Sequence, residues 1–463
     1  MAALKRGLQA QGLGDAERAI AEYRRAIKLE PGLSAAHFNL AQLLRERGDY
    51  AAAAQSFEGA ARLRPMAGDA WINLGAMYER LERFRDAIGA YERAIACDPE
   101  GAAGFYNRGN AYAAMGQWDP SIASYKQAIG FAADHLDAQW NLACAQLASG
   151  NYKDGWTQYE WRWRRDKLDP TRGWPWPVWK GEPVAGKRVL VWREQGLGDE
   201  ILFASAVREL VARGAEVTLV ASARLTTLFQ RAFPGVDVVA DLAGDLRSPD
   251  EFHFHTPIGS LPRYLRANRD SFPLEGRYLV PETRSATRWT ERLATLGPGL
   301  TVGICWRSGL IDEQRKRQYT SLLDWGPLFA LPGILWVNLQ YGECEAEIVE
   351  AEQEFGIQIH RWPDEDLKND LEGVVGLLSS LDACVTAPTA VSSLAGAVGT
   401  ATWELDAGGD WTAHGEERSP WFHSIRMARR RGDHPDWAPA IRQVARELSA
   451  FASAHNQAFA EVG

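Results

Sequence analysis

Apolar positions recur along this chain at two different spacings. Over the first third, small and aromatic residues return every 34 positions: Ala19, Ala53 and Ala87; Tyr23, Phe57, Tyr91 and Tyr125; Ala26, Ala60, Ala94 and Ala128; Pro31, Pro65 and Pro99. Within each period the apolar residues follow helical spacing, as in GDAWINLGAMYERLERFRDAIGAYERAIACDP (68 to 99), where Trp71, Leu74, Gly75 and Tyr78 share a first helix. The small residues let paired helices approach closely, the aromatics fill the gap between pairs, and proline stops each second helix. Beyond residue 186 the rhythm changes. Short apolar runs at 188–193, 216–222, 236–240 and 251–255, then a break at 273–300, then runs at 301–306, 334–340, 357–361, 382–386 and 401–405, alternate with helical stretches. That alternation predicts two parallel sheets covered on both faces by helices.

The 34-residue period is the tetratricopeptide pattern. Four copies agree, and a decayed fifth (136 to 163) is expected to cap the stack and join it to the rest of the chain. The resulting organisation is α plus α/β: a repeat solenoid over 1–165, a Pro/Trp-rich linker over 166–186, and Rossmann-like halves over 187–295 and 296–463. The linker carries Pro170, Pro175, Pro177 and Pro183 among Trp174, Trp176 and Trp179, which excludes a regular helix and suggests a packed, semi-rigid joint. Inside the repeats a second ladder, Asn39, Asn73, Asn107 and Asn141, keeps the same period. A carboxamide presents a donor beside an acceptor, so a row of them matches the backbone of an extended peptide; the alternative is satisfaction of local backbone groups. Either way the module is expected to bind protein.

Composition narrows the choice of partners. With 463 residues and a formal net charge of -9, the chain lacks the cationic footprint that phosphate-backbone binding requires. Its basic cluster, Arg426, Arg429, Arg430 and Arg431, reads as a solvated face. MAALKRGLQAQGLGD has no apolar run of a signal peptide and no segment approaches a bilayer span, so a cytoplasmic location is expected, with no membrane partner. The five cysteines, Cys97, Cys144, Cys305, Cys344 and Cys384, are scattered, which argues against a disulfide framework or a zinc site.

Candidate chemistry gathers in the turns after the strands, where open parallel sheets hold ligands. VLVWREQGLGDEILFASAVREL (189 to 210) reads as strand, glycine turn and helix, but a dinucleotide loop would need a third glycine where Asp199 and Glu200 stand. Two carboxylates there would repel a phosphate. After 301–306 come Arg307 and Ser308, then Arg315, Lys316 and Arg317; after 334–340 comes Tyr341, preceded by Gln340; after 382–386 come Thr389, Ser392 and Ser393, with Thr386 ending the run. Hydroxyls and N–H groups at a helix start, faced by arginine or lysine, would hold the phosphate of a nucleotide-linked substrate, although such hydroxyls also serve as plain N-caps.

REQGLGDEILFASAVRELVARGAEVTLV, with LDACVTAPTAVSSLAGAVGTATWEL and DWTAHGEERSPWFHSIRMARR, resembles the glycosyltransferase family that contains the bacterial heptosyltransferases, over roughly 180 to 440. The arrangement of repeats before transferase is similar to the bacterial flagellin glycosyltransferases and, more distantly, to the protein O-linked N-acetylglucosamine transferases. The resemblance implies a GT-B fold: acceptor on the first sheet, nucleotide-sugar on the second, and no metal or other cofactor. It also implies transfer to serine or threonine hydroxyls of a protein, flagellin first, with Gly196 and Gly198 at the cleft. Asp199 matches the family's general base, with Glu200 as the less favoured choice; both also suit the first turn of a helix by complementing its dipole. Where the family places aspartate-threonine and then histidine, this chain has Pro388, Thr389 and Ser393, pointing either to another donor, such as a CMP-activated nonulosonic acid, or to lost activity. Rival expectations are a scaffold with a degenerate transferase domain and a metal-dependent transferase using Asp364 and Asp366. An oxidoreductase is disfavoured for want of glycines. His255 is a candidate for the cleft, His253 alternates with it, His414 lies in a loop expected to close over the donor, and Asn369 and Asp370 begin a helix near the donor edge.

Overall fold

The computed structural model describes residues 1–240, 250–309, 319–408, 411–430 and 436–462, with side chains described up to His455. They form two compact units, one of residues 1–146 and one of residues 147–430 with 436 onward.

The first unit is built from antiparallel helices: α1 (Ala2–Gly12), α2 (Ala16–Leu29), α3 (Ser34–Glu46), α4 (Tyr50–Leu63), α5 (Gly68–Arg80), α6 (Phe84–Cys97), α7 (Ala102–Ala114), α8 (Trp118–Phe131) and α9 (Leu136–Ala148). From α2 on, the helices of each kind begin 34 residues apart, so the sequence period is the structural period. Asp15 and Asp49 start α2 and α4 by accepting the N–H of Arg18 and Ala52 at 3.1 and 3.2 Å. Within each pair an aromatic on the second helix fills the space left by a small residue on the first: a Cβ at Gly75 would sit 2.4 Å from Tyr91, and one at Gly109 would sit 2.6 Å from Tyr125. Close approach of backbone to ring is therefore what glycine provides here.

The boundary between units falls inside α9. The repeat rhythm alone runs on to residue 165, but helices Tyr152–Tyr159 and Arg162–Arg165 belong to the second unit. The reason is chemical: their buried faces carry Trp156, Tyr159, Arg162 and Trp163, and the Trp156 indole donates to the carbonyl of Arg266 at 3.0 Å.

The second unit holds two wholly parallel sheets. In the first, β1 (Arg188–Trp192), β2 (Glu216–Val220), β3 (Asp237–Val239) and β4 (Phe254–Pro257) run in the order β3-β2-β1-β4. In the second, β5 (Leu300–Cys305), β6 (Ile334–Asn338), β7 (Ile359–His360), β8 (Ala383–Thr386), β9 (Ala401–Asp406) and β10 (Ile425–Arg429) run in the order β10-β9-β8-β5-β6-β7. Each order reverses direction at its first strand, β1 or β5, and such switch points leave a crevice at the strands' carboxyl ends. The apolar runs of the sequence thus become strands, as the two-sided burial of parallel sheets requires. The linker lies along the first sheet: Trp179 N–H donates to the His255 carbonyl at 2.8 Å, and His255 N–H to the Pro177 carbonyl at 3.1 Å. Trp176 and Trp179 are buried, consistent with a packed joint.

One strand escaped the sequence reading. β10 runs through the arginine cluster read above as a solvated face, and Met427 and Ala428 between the arginines are buried. Arg429 lies 3.2 Å from Asp406 and Arg426 lies 3.6 Å from Glu447, so these two arginines brace a sheet edge. Arg431 lies outside the described residues.

Candidate active site

The turn after β1 is held on every side. Gln195 adopts φ 63°, a left-handed conformation that side-chain-bearing residues seldom take. Glu194 before it is buried and accepts from Arg162 through both oxygens, at 2.8 and 2.9 Å, and from the N–H of Gly259 at 2.8 Å. Helix Leu197–Ala204 comes next, and the Asp199 carboxylate accepts the N–H of Gly196 at 3.1 Å. Burial raises the Asp199 carboxyl above its ordinary range and the nearby Glu194 adds to the rise, while the Gly196 N–H opposes it.

The second carboxylate does something else. Glu200 is buried and accepts the N–H of Ser222 at 2.6 Å, tying the turn after β1 to the turn after β2. Burial pushes it up to about 7 against the pull of that N–H and of Arg193 and Arg224.

The two α/β halves touch beside Asp199. A Cβ placed on Gly198 would lie 3.5 Å from Ser393 Oγ and 3.6 Å from Ala390 Cα, so helix Leu197–Ala204 packs against the start of helix Ala390–Val398 through two small residues. Gly198 and Ser393, singled out in separate stretches of sequence, meet here, one residue from Asp199.

The remaining donor-side candidates divide. Thr389 is the N-cap of helix Ala390–Val398, accepting from Val391 N–H at 3.3 Å, and Ser392 is buried against Glu404. Thr386 is buried at the end of β8, its hydroxyl without a hydrogen-bond partner among the described residues. The guanidinium of Arg307 is engaged by Glu347, with Nε 3.0 and 3.1 Å from the two carboxylate oxygens, and by the carbonyls of Glu343 at 2.7 Å and Ser308 at 3.4 Å. That geometry departs from the mobile phosphate-facing arginine of the sequence reading. Buried Gln340 accepts the Arg307 N–H at 3.1 Å. Lys316 and Arg317 lie outside the described residues.

Gln340 and Tyr341 open onto a cavity of about 510 Å³ at the carboxyl ends of β6 and β7, lined also by Asn338, Arg361, Trp362 and Lys368. Trp362 stands edge-on to Trp289, ring centroids 5.0 Å apart. An aromatic wall with side-chain amides and cations at its rim can take a planar, hydrogen-bonding ligand.

The metal-site candidates point elsewhere. Asp364 pairs with Arg292 at 2.6 Å, whereas Asp366 accepts the N–H groups of Lys368 and Asn369 at 3.0 and 2.9 Å. Among the described residues no three His, Cys, Asp or Glu side chains are grouped to hold a metal ion. Asp370 caps helix Leu371–Ser380 by accepting from Gly373 N–H at 2.9 Å. The histidines are structural in setting. His253 precedes β4 instead of sharing it with His255, and its Nδ1 accepts from Arg188 N–H at 3.1 Å. His255 is buried in a tryptophan cluster, accepting the Trp192 indole N–H at 3.1 Å, and burial pushes it down to about 4. His414 is buried among Tyr152, Phe272 and Trp421, its Nδ1 2.9 Å from the Leu147 carbonyl, and burial pushes it down to about 3. Cys305, behind Gln340, is likewise buried and pushed up to about 12.

In the first unit the asparagines occupy one position of α3, α5, α7 and α9, each half-buried. Asn73 accepts from Arg45 at 2.9 Å and donates to the Asp69 carbonyl at 2.8 Å, and Asn141 donates to Asn110 at 2.9 Å, so part of the ladder is engaged locally.

Sequence reasoning passed over Tyr159, Arg162, Glu194 and Gln195. A signal existed: continuing the 34-residue ladders one step leads from Tyr125 to Tyr159 and from Ala128 to Arg162. A charge where alanine belongs marks a face that no longer packs on a further repeat.

A tetratricopeptide repeat model matches residues 4–65, 40–102 and 106–160, and a second one matches 90–119. Protein FlbA of Caulobacter vibrioides is 35% identical over 330 residues, which cover 68% of this chain and 55% of FlbA. The chain thus spans about half the length of this curated relative. Among solved structures, MamA from Desulfovibrio magneticus is 19% identical, covering 35% of this chain and 93% of that one, with a TM-score of 0.33. YrrB, described as a tetratricopeptide protein with an unusual peptide-binding site, is 19% identical over 36% of this chain and 91% of its own, with a TM-score of 0.32. Among the described residues no helix is long and apolar enough to cross a membrane.

Proposed function

We propose that this chain is a protein glycosyltransferase of the GT-B type. Its repeats recruit a protein acceptor, flagellin being the first to try. The second α/β half binds a nucleotide-sugar, and Asp199 removes the proton from a serine or threonine hydroxyl as it attacks the anomeric carbon. The observation that carries the reading is the meeting of the two α/β halves at Gly198 and Ser393, with a carboxylate of raised proton affinity in the next residue. A hydroxyl is a poor nucleophile until its proton has somewhere to go, and a half-buried carboxylate at a cleft supplies that place. The cavity beside Gln340, Tyr341 and Trp362 suits the planar base of the donor. A CMP-linked nonulosonic acid is the donor favoured by the departures at Pro388 and Ser393. No metal or other cofactor is invoked.

One observation favours a second reading, a repeat scaffold with a degenerate transferase domain: the described arginine of the donor turn, Arg307, already spends its charge on Glu347. The two are separated by the intact mass of flagellin co-expressed with the protein in cells that make a nonulosonic acid. A gain of one or more sugar units that disappears with Asp199→Ala supports transfer. An unmodified flagellin in stable complex with the protein supports the scaffold.

A further inference from the structure

The fifth repeat copy spends its second helix differently from the four before it. Tyr159 and Arg162 occupy the positions held earlier by Tyr125 and Ala128, but both reach the turn after β1. The Tyr159 hydroxyl pairs with the Gln195 carboxamide at 3.0 Å to Oε1 and 2.9 Å to Nε2. Arg162 holds Glu194 through two hydrogen bonds and is itself saturated by Ser260 at 2.7 Å, Glu160 at 2.8 Å and the Tyr159 carbonyl at 3.2 Å. Its guanidinium lies over the rings of Trp163 and Tyr159, 4.2 and 4.6 Å from their centroids. Three consecutive residues are therefore fixed by different means: Glu194 by Arg162, Gln195 by Tyr159 in its left-handed conformation, and Gly196 by its N–H on Asp199. A turn that disfavours its own backbone conformation persists only where its surroundings over-determine it.

We infer that Tyr159 and Arg162 are positioning residues for Asp199: by fixing Gln195 and Glu194 they hold the turn whose Gly196 N–H orients the carboxylate one residue from the Gly198–Ser393 contact of the two α/β halves. The role of Asp199 in the reaction rests on the transferase reading; the positioning itself does not. Tyr159→Phe removes one hydroxyl from a buried ring, and Gln195→Gly removes the partner while freeing the backbone. Both spare the buried ion pair, and their folding is checked by thermal melting.

The first readout is independent of activity. In protein carrying ¹³Cγ-labelled aspartate, the signal missing from Asp199→Asn identifies Asp199, and its titration midpoint is followed with pH. Both variants are expected to move the midpoint, because the turn sets both the burial that raises it and the Gly196 N–H bond that lowers it. The second readout is transfer from a CMP-linked nonulosonic acid to purified flagellin. There kcat is expected to fall roughly tenfold or more with acceptor KM unchanged, misplacement of a reacting group being costly to the chemical step. The double variant is expected to be no worse than the worse single, since both break one contact. A midpoint unmoved in both folded variants, or losses that add, overturns the inference. Moved midpoints in a protein that transfers no sugar even as wild type overturn the transferase reading and leave the positioning standing.

Discussion

Arg162 and Glu194 form a two-point ion pair, 2.8 and 2.9 Å, with both side chains almost wholly withdrawn from water. Breaking such a pair strands a charge in the interior. Arg162→Met should therefore destabilise the second unit by about 3–5 kcal/mol, read as a fall in denaturant midpoint. Adding Glu194→Met should restore part of the loss; Gly259 N–H, left without its acceptor, keeps the recovery incomplete.

Glu200 should leave its mark on stability as a function of pH. Its folded value of about 7 lies above the ordinary 4.5, so between those two the native state holds a proton that the unfolded chain has released. Stability due to this group is present at low pH and declines as pH rises from 4.5 to 7. His255 and His414, depressed to about 4 and 3, slope the other way in the acid range, which makes a difference measurement necessary. Relative to wild type, Glu200→Gln should gain stability across that window and level off above it, as denaturant titrations at a series of pH values would reveal.

The rate of sugar transfer should fall as pH drops through the raised value of Asp199, because only the ionised carboxylate accepts a proton. Asp199→Asn should lower the rate by roughly a hundredfold or more and abolish that acidic limb while leaving the melting curve close to wild type. A limb that survives in the variant would assign it to another group.

Gly75 offers a test of repeat packing that touches no candidate site. A Cβ there would come within 2.4 Å of the buried Tyr91 ring. Gly75→Ala should cost about 1–3 kcal/mol through overpacking, against the usual gain from replacing a helical glycine by alanine. Gly89, whose Cβ would meet nothing within 4 Å, is the control, and Gly89→Ala should be neutral or stabilising.

If the asparagine ladder meets an extended acceptor, substitution should weaken binding without unfolding the repeats. Asn39→Ala with Asn107→Ala should reduce affinity for flagellin, measured by titration calorimetry, by roughly thirtyfold, two lost hydrogen bonds at about 1 kcal/mol each. An unchanged affinity would leave the ladder a local feature, as the bonds of Asn73 and Asn141 already are in part.

The repeats and every strand but β10 were legible in the chain alone. Residues 34 apart fall at the same position of successive helices of one kind, so Ala53, Phe57 and Ala60 on α4 declare their packing as openly as Tyr91 does on α6; each strand buried on both sides must be apolar throughout, so Val302 to Cys305 could hardly be anything else. Local chemistry was legible too, since Asp199 and Thr389 stand where strand gives way to helix. What only the tertiary structure decided were the partnerships between distant stretches: Arg307 spent on Glu347, Glu200 on Ser222, Arg429 on Asp406, and Tyr159 and Arg162 on the turn after β1. A charge or hydroxyl is defined by what it reaches, and its reach depends on which segments the fold brings within about 3 Å, information carried by no periodicity along the chain.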